Sequence, residues 1–394
     1  MLLVTVFVIA SLLSTASALP GVVVMKYARV YVTLLAVAVA LVCVRPWQIG
    51  PASRALLAFS LFYVLAALWS EDPIGGVMFK GLFLLTVMLG MAGVLAARDE
   101  EALWKWQRCV VVAAGVLTLI LLAGVARQPG LLLGGARLSL FGLNPNRIAE
   151  TLGPLVVFCC FGVLYEHSKL WRTMAYAIGL SAAALLLATG SRGGFGQAML
   201  GFMLLMLPLV RRPGVFAAVC IVVGVSVLLV LGVVEESRAV RFAEYDFTTR
   251  GQPWTGALAR FRESPLIGIG WARMSTGEGW GSSVNMHSIY FQVLVEMGIV
   301  GALALAACLA WLGRCAWHAF RATAQEPTLR PMCLFAATLG ATALAHGVIE
   351  SGAIMGSSLN AMCFGASAAL LDWLTIEARH RAAYPVETPT PLPA

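Results

Sequence analysis

Eight side chains in this sequence could do chemistry. Arg192 lies inside Ala188-Thr189-Gly190-Ser191-Arg192-Gly193-Gly194-Phe195-Gly196. Glycines let a backbone approach a ligand closely and turn N–H groups toward an anion. A guanidinium fork matches pairs of phosphate oxygens. The same segment would equally serve as a tight turn with a snorkelling arginine. Arg147 follows Gly142-Leu143-Asn144-Pro145-Asn146, where Pro145 suits a helix start and Asn144 can cap it. Arg147 and Glu150 then share a face at i, i+3, either as a local ion pair or as part of a site. Arg250 follows Thr248 and Thr249, and a lone surface arginine there is the bland alternative. His287 stands at the head of His287-Ser288-Ile289-Tyr290-Phe291-Gln292-Val293-Leu294-Val295-Glu296-Met297-Gly298. A histidine at a helix entrance can titrate near neutral pH and take a proton, or simply face water. Glu296 falls close to the opposite face of a continuous helix, so the two would not pair. His346 and Glu350 share a face, as a functional pair or a structural hydrogen bond.

Other chemistry is missing. The sequence holds no P-loop, no HExxH, no paired Asp/Cys/His pattern typical of a bound metal, and no arguable Ser–His–Asp order. Neither a metal nor a cofactor is expected. The nine cysteines lie in or near apolar runs without a CxxC and read as small core hydrophobes.

The elements that must position these residues are apolar. Of the 394 residues 60% are hydrophobic and 12% charged, against about 25% charged in ordinary soluble domains. A helix needs about 20 apolar residues to cross the hydrocarbon core. In lipid only helices or a closed barrel satisfy their backbone, and barrel strands alternate apolar with polar. The runs here are apolar nearly all round. The reading is an all-α polytopic membrane protein with about twelve transmembrane helices and one longer loop at 235–287, with 1–384 as a single domain. The Pro- and Thr-rich 385–394 segment reads as a disordered tail.

Spans are predicted near Met1–Ala18, Val30–Val44, Ala55–Trp69, Gly81–Ala96, Val110–Val125 and Ala149–Leu164. Further spans fall near Met174–Leu187, Phe195–Leu209, Val215–Val234, Ser288–Leu312, Met332–Val348 and Ala361–Leu374. The first ends in Ala16-Ser17-Ala18, like a signal-peptide cleavage site, but no positive charge precedes it. With the N-terminus inside, short inward connections hold fourteen Lys and Arg against seven outward. By the positive-inside rule the long loop therefore faces out. The seven outward cations are Lys26, Arg29, Lys80, Arg127, Arg137, Arg147 and Arg192. In the long loop Trp254, Leu258 and Phe261 recur at i, i+4 and i+7, which predicts a short amphipathic helix on the membrane surface. The net charge of +8 is dispersed between apolar runs, so it points to anionic membrane lipids or lipid-linked phosphates and not to nucleic acid.

Four segments together resemble the O-antigen ligase and polysaccharide polymerase superfamily. They are Trp69-Ser70-Glu71-Asp72-Pro73 followed by Lys80, Thr189-Gly190-Ser191-Arg192-Gly193, the approach from Thr249-Arg250 to Pro265-Leu266-Ile267-Gly268-Ile269-Gly270, and His287 through Glu296-Met297-Gly298. The resemblance implies a GT-C-like membrane glycosyltransferase of the bacterial inner membrane. Its donor would be an undecaprenyl-diphosphate-linked glycan used on the periplasmic face. Its acceptor would be lipid A-core for a ligase, or a growing polysaccharide for a polymerase. It further implies Arg192 and Arg250 on the diphosphate, Lys80 and Arg147 in support, and His287 as general base, with no metal. The alternative from another class is a transporter of the same lipid.

Overall fold

Three of the long helices begin at proline, whose fixed φ and missing N–H suit the first helical position. These are α1 (Pro51–Leu65, extended by a 3-10 turn to Trp69), α2 (Pro73–Leu95) and α4 (Pro145–Tyr165). Asp72 caps α2 by accepting from the Gly75 N–H at 2.9 Å, and Asn144 caps α4 through the Asn146 N–H at 2.9 Å. The remaining helices are α3 (Glu100–Arg127), α5 (Lys169–Ala188), α6 (Arg192–Met206), α7 (Thr248–Phe261), α8 (Ile289–Ala322), α9 (Leu329–Gly347) and α10 (Leu359–Ala383). This computed structural model describes residues 49–70, 72–97, 99–128, 137–141, 143–209, 248–271, 288–348, 350 and 358–384, with backbone alone at 248–254.

All regular structure among the described residues is helical. Seven of these helices are long and apolar enough to cross a membrane: α1 with its extension, α2, α3, α4, α5, α8 and α10. The chain is a multi-pass membrane protein. The spans expected near Met1–Ala18, Val30–Val44 and Val215–Val234 lie outside the described residues, as does His287.

Two helices form the interior. Helix α10 packs on α2, α9, α8 and α1, while α4 packs on α5, α6 and α3. The α2–α10 contact is backbone to backbone. A Cβ at Gly90 would overlap the Met362 carbonyl, and one at Gly365 the Val87 carbonyl. Between helices in lipid such small residues gain van der Waals contact that large ones would block.

Opposite ends of the bundle differ. At one end Asp372 of α10 accepts from the Ala52 and Ser53 N–H groups at 2.9 and 2.8 Å, closing the start of α1. There Arg381 reaches Glu377, Glu100 and Glu326. Arg108 grips Glu166 through two 2.8 Å bonds. Burial opposes ionisation of Glu166, but Arg108 and the Ser168 N–H outweigh it and hold the carboxyl below its usual range. The other end collects the segments at 66–70, 137–141, 189–191 and 262–271, and the chemistry-bearing residues lie there among the described residues.

The structure corrects two expectations. Helix α2 begins at Pro73, not near Gly81, so Lys80 lies inside a helix and is fully buried, not in an outward connection. The expected span from Ser288 to Leu312 is a longer helix, α8, broken at Gly298. In α7 the packed face carries Ala257 and half-buried Phe261 against Ile269, Val295 and Phe291, while Leu258 is 41% exposed. The exposed Leu258 lies outside this packed face, as a residue of a stripe meant for the membrane surface would. No side chain is described at Trp254.

Candidate functional site

The turn between α5 and α6 is built tightly. Gly190 takes φ of +60°, a conformation that costs L residues steric energy. The Thr189 hydroxyl donates to the Leu186 carbonyl at 2.6 Å and accepts from the Ser191 N–H at 3.2 Å. Arg137 crosses over the turn, donating from Nε to the Thr189 carbonyl at 2.9 Å and from Nη2 to Asn146 Oδ1. The turn thus delivers Arg192, with an exposed side chain, to the first position of α6. Ser191 makes no side-chain cap there. A helix start carries partial positive charge and N–H groups with no partner in the helix.

The start of α4 lies against the start of α6. A Cβ at Gly194 would come within 2.7 Å of the Ala149 Cβ. Arg147 and Arg192 each stand two residues before that contact, at the same end of parallel helices. Arg147 pairs with Glu150 at 2.7 Å, as the i, i+3 spacing implied, and keeps 40% of its side chain exposed. Beneath this pair runs a buried polar chain. His346 Nδ1 stands 2.7 Å from Gln197 Oε1, a donor's position. Gln197 Nε2 donates to Asn360 Oδ1, and Asn360 Nδ2 to the Glu150 carbonyl at 3.4 Å. This chain ties α4, α6, α9 and α10 together. Helix α9 ends at Gly347, so Glu350 follows the helix, buried, with its N–H donating to the His346 carbonyl at 3.0 Å. Gln197→Leu removes the acceptor facing His346 and the donor to Asn360. It is expected to cost about 1–3 kcal/mol, read as a lowered Tm of the detergent-purified protein.

A second polar group lies at the same end, where α8 breaks. Gly298 takes φ of 65° and ψ of −162°, a region open essentially to glycine alone. A broken helix leaves carbonyls on one side and N–H groups on the other without partners. The 265–270 loop satisfies both. Ile269 and Gly270 N–H groups donate to the Val295 and Glu296 carbonyls at 3.0 and 3.1 Å. The Pro265 and Leu266 carbonyls accept from Ile299 and Val300 at 2.8 and 3.1 Å. Irregular backbone inside a membrane persists only where protein pairs it in this way. Trp69 and Ser70 clamp the loop from outside. Trp69 Nε1 donates to the Ile267 carbonyl at 3.0 Å, Ser70 Oγ accepts from the Trp271 N–H at 3.1 Å, and Phe79 stacks on Trp271.

Below the break Glu296 is buried among polar side chains. Lys80 Nζ stands 3.0 Å from its Oε2 and Gln292 Nε2 donates to its Oε1 at 2.8 Å. The Tyr63 hydroxyl lies 3.5 Å from Oε2, and the Tyr63 ring faces the ammonium at 4.4 Å. The Lys80 contact is an ion pair off hydrogen-bond geometry, and Lys80 Nζ has no hydrogen-bond partner among the described residues.

The sequence-predicted residues therefore fall into two assemblies at one end of the bundle. Arg147, Arg192, His346 and Glu350 belong to the first, Lys80 and Glu296 to the second. Arg250 lies in the first turn of α7, whose far end runs into the 265–270 loop, and its side chain is not described. Sequence reasoning gave no role to Arg137, Gln197, Asn360, Tyr63 or Gln292. A signal existed for Gln197 and Asn360, since polar amides inside apolar helices need partners.

Residues 176–306 match the family model for O-antigen ligase. No curated protein is matched by the chain. The matched stretch bears out the superfamily resemblance. It contains the Arg192 turn, α7, the 265–270 loop and the break in α8, while the segments around Lys80 and Arg147 lie outside it.

Proposed function

We propose that this protein is a membrane glycosyltransferase that moves a glycan from undecaprenyl diphosphate to lipid A-core on the periplasmic face of the bacterial inner membrane. The observation that carries this reading is the braced turn that presents Arg192 at the start of α6, beside Arg147 at the start of α4. An anion at that place would meet two guanidinium groups and the N-terminus of α6, which has no side-chain cap. The apolar groove of about 400 Å³ between α4, α5 and α6 reaches Leu186, Leu187 and Phe195 next to the turn. Isoprenoid units suit such a lining.

In this mechanism His287 takes the proton of an acceptor hydroxyl. The freed oxygen attacks the sugar's anomeric carbon and forms the new glycosidic bond. The bond from that carbon to the diphosphate breaks, and undecaprenyl diphosphate leaves with the electron pair. Arg192 and Arg250, supported by Arg147, stabilise the charge that develops on it. Fixed cations of the chain act where other glycosyltransferases use a metal.

The second reading, an O-antigen or exopolysaccharide polymerase, uses the same donor chemistry. The 235–287 segment favours it, being short for a ligase and carrying acids such as Glu235, Glu236, Glu244 and Asp246 among its arginines. Expression in a ligase-deficient bacterium separates the two. A ligase restores polymer on lipid A-core, whereas a polymerase lengthens chains that stay on the carrier. His287→Ala is expected to remove either product, since a general base contributes about 10²–10⁴-fold, with the protein still present in the membrane. Normal product from that variant would remove His287 from the mechanism.

A further inference from the structure

We propose that Lys80 is a positioning residue that acts through Glu296, and that their ion pair locks the break in α8 to the loop leading from α7. The proposal rests on the glycosyltransferase reading for its kinetic consequences and on geometry alone for its structural ones. The Lys80 side chain is 0% exposed, so its ammonium is sealed from a diphosphate arriving at the bundle end. What it faces is Glu296, the residue at which four elements converge. Tyr63 comes from α1, Lys80 from α2 and Gln292 from the first half of α8. The fourth is the 265–270 loop, whose Gly270 N–H donates to the Glu296 carbonyl at 3.1 Å. The loop lies so close that a Cβ at Gly268 would overlap the Glu296 backbone. One carboxylate thus has its side chain held by α2 while its main chain holds the loop.

A buried carboxylate without its cation is strongly unfavourable. Loss of Lys80 would therefore draw Glu296 toward water or a proton, and the backbone bonds from the loop to residues 295 and 296 would loosen. The loop is joined to α7, which carries Arg250, and the first half of α8 begins two residues after His287. A loosened junction misplaces both ends of the reacting constellation without touching donor or acceptor. Angström-scale misplacement of this kind lowers turnover more than binding.

The test is a double-mutant cycle on the full-length reconstituted protein, with Lys80→Met, Glu296→Gln and the pair together. Two readouts are taken: hydrogen exchange of the 264–271 peptide, and kcat and KM for the lipid-linked donor. Each single variant leaves an unmatched buried group. Each is expected to speed exchange of that peptide at least about tenfold and to lower kcat similarly, with donor KM little changed. The double variant, with no buried charge, is expected to recover most of both. Exchange in α4 and α5 should stay at the wild-type level throughout. A Lys80 that bound diphosphate would behave otherwise: Lys80→Met would raise donor KM whether or not Glu296 is changed, with exchange at 264–271 unaltered, and that overturns the proposal. Single variants whose folded fraction keeps wild-type kcat overturn it too, since the pair would then be structural only. If the wild type forms no glycosidic bond, the functional reading fails, and the exchange data alone decide whether the pair locks the loop.

Discussion

Arg192→Lys in the purified protein is expected to lower glycan transfer about 10²-fold, the scale seen when one preorganised donor to a developing oxyanion is lost. The substitution keeps the positive charge and the length of the side chain. What it removes is the planar fork that engages two oxygens at once, which an ammonium cannot reproduce. The effect is large because the turn leaves Arg192 little freedom to be replaced. Gly190 sets the reversal with positive φ, the Thr189 hydroxyl holds the Ser191 N–H, and Arg137 pins the Thr189 carbonyl. The side chain at position 192 is exposed, so thermal stability should stay near the wild-type value. Initial rates of transfer, measured at equal amounts of folded protein, check this. Full activity with lysine would mean that the diphosphate is held elsewhere.

Gly298→Val is expected to be the most damaging single change at the break in α8. Its φ and ψ cost of order 1–3 kcal/mol for a residue with a Cβ. Forcing side-chain atoms into packed space adds about 1–3 kcal/mol. Here a Cβ would overlap the Leu266 carbonyl and come within 2.6 Å of the Gly268 nitrogen. The strain falls on the four backbone bonds that join loop and helix, so transfer should be lost together with a lowered Tm. Gly313 lies on the same helix with open space around a Cβ. Gly313→Ala should therefore be neutral, or more stable by about 0.5–1 kcal/mol. Equal tolerance at both positions would show that the break is not required.

These two glycines also show what the sequence could reveal. The helix starts were legible where chemistry is local: Asn144 before Pro145 caps α4, and Arg147 meets Glu150 one turn on. The turn around Arg192 was legible for the same reason. Lys80 was misplaced because a lysine between apolar segments reads as a boundary. The Asp72-Pro73 start lay further back, and the partner that lets a cation sit inside α2 is Glu296, far along the chain. No local pattern announces such a pair. The break at Gly298 was hidden in a largely apolar segment that reads as one helix despite Glu296. Only the loop that pairs with it, Pro265 to Gly270, gives it a reason. Gln197, His346 and Asn360 sit on three separate helices, and their meeting depends on how those helices pack. The protein-facing side of α7 was not legible, because Ala257 meets Ile269 and Val295 from later segments of the chain.

Transfer by the purified protein in proteoliposomes, supplied with undecaprenyl-diphosphate-linked glycan and lipid A-core in the presence of EDTA, tests the central claim most directly. The account predicts glycan on lipid A-core and matching release of undecaprenyl diphosphate from the wild type, and neither from Arg192→Ala. Movement of intact donor across the bilayer without any new glycosidic bond, or transfer that Arg192→Ala performs at the wild-type rate, would contradict it.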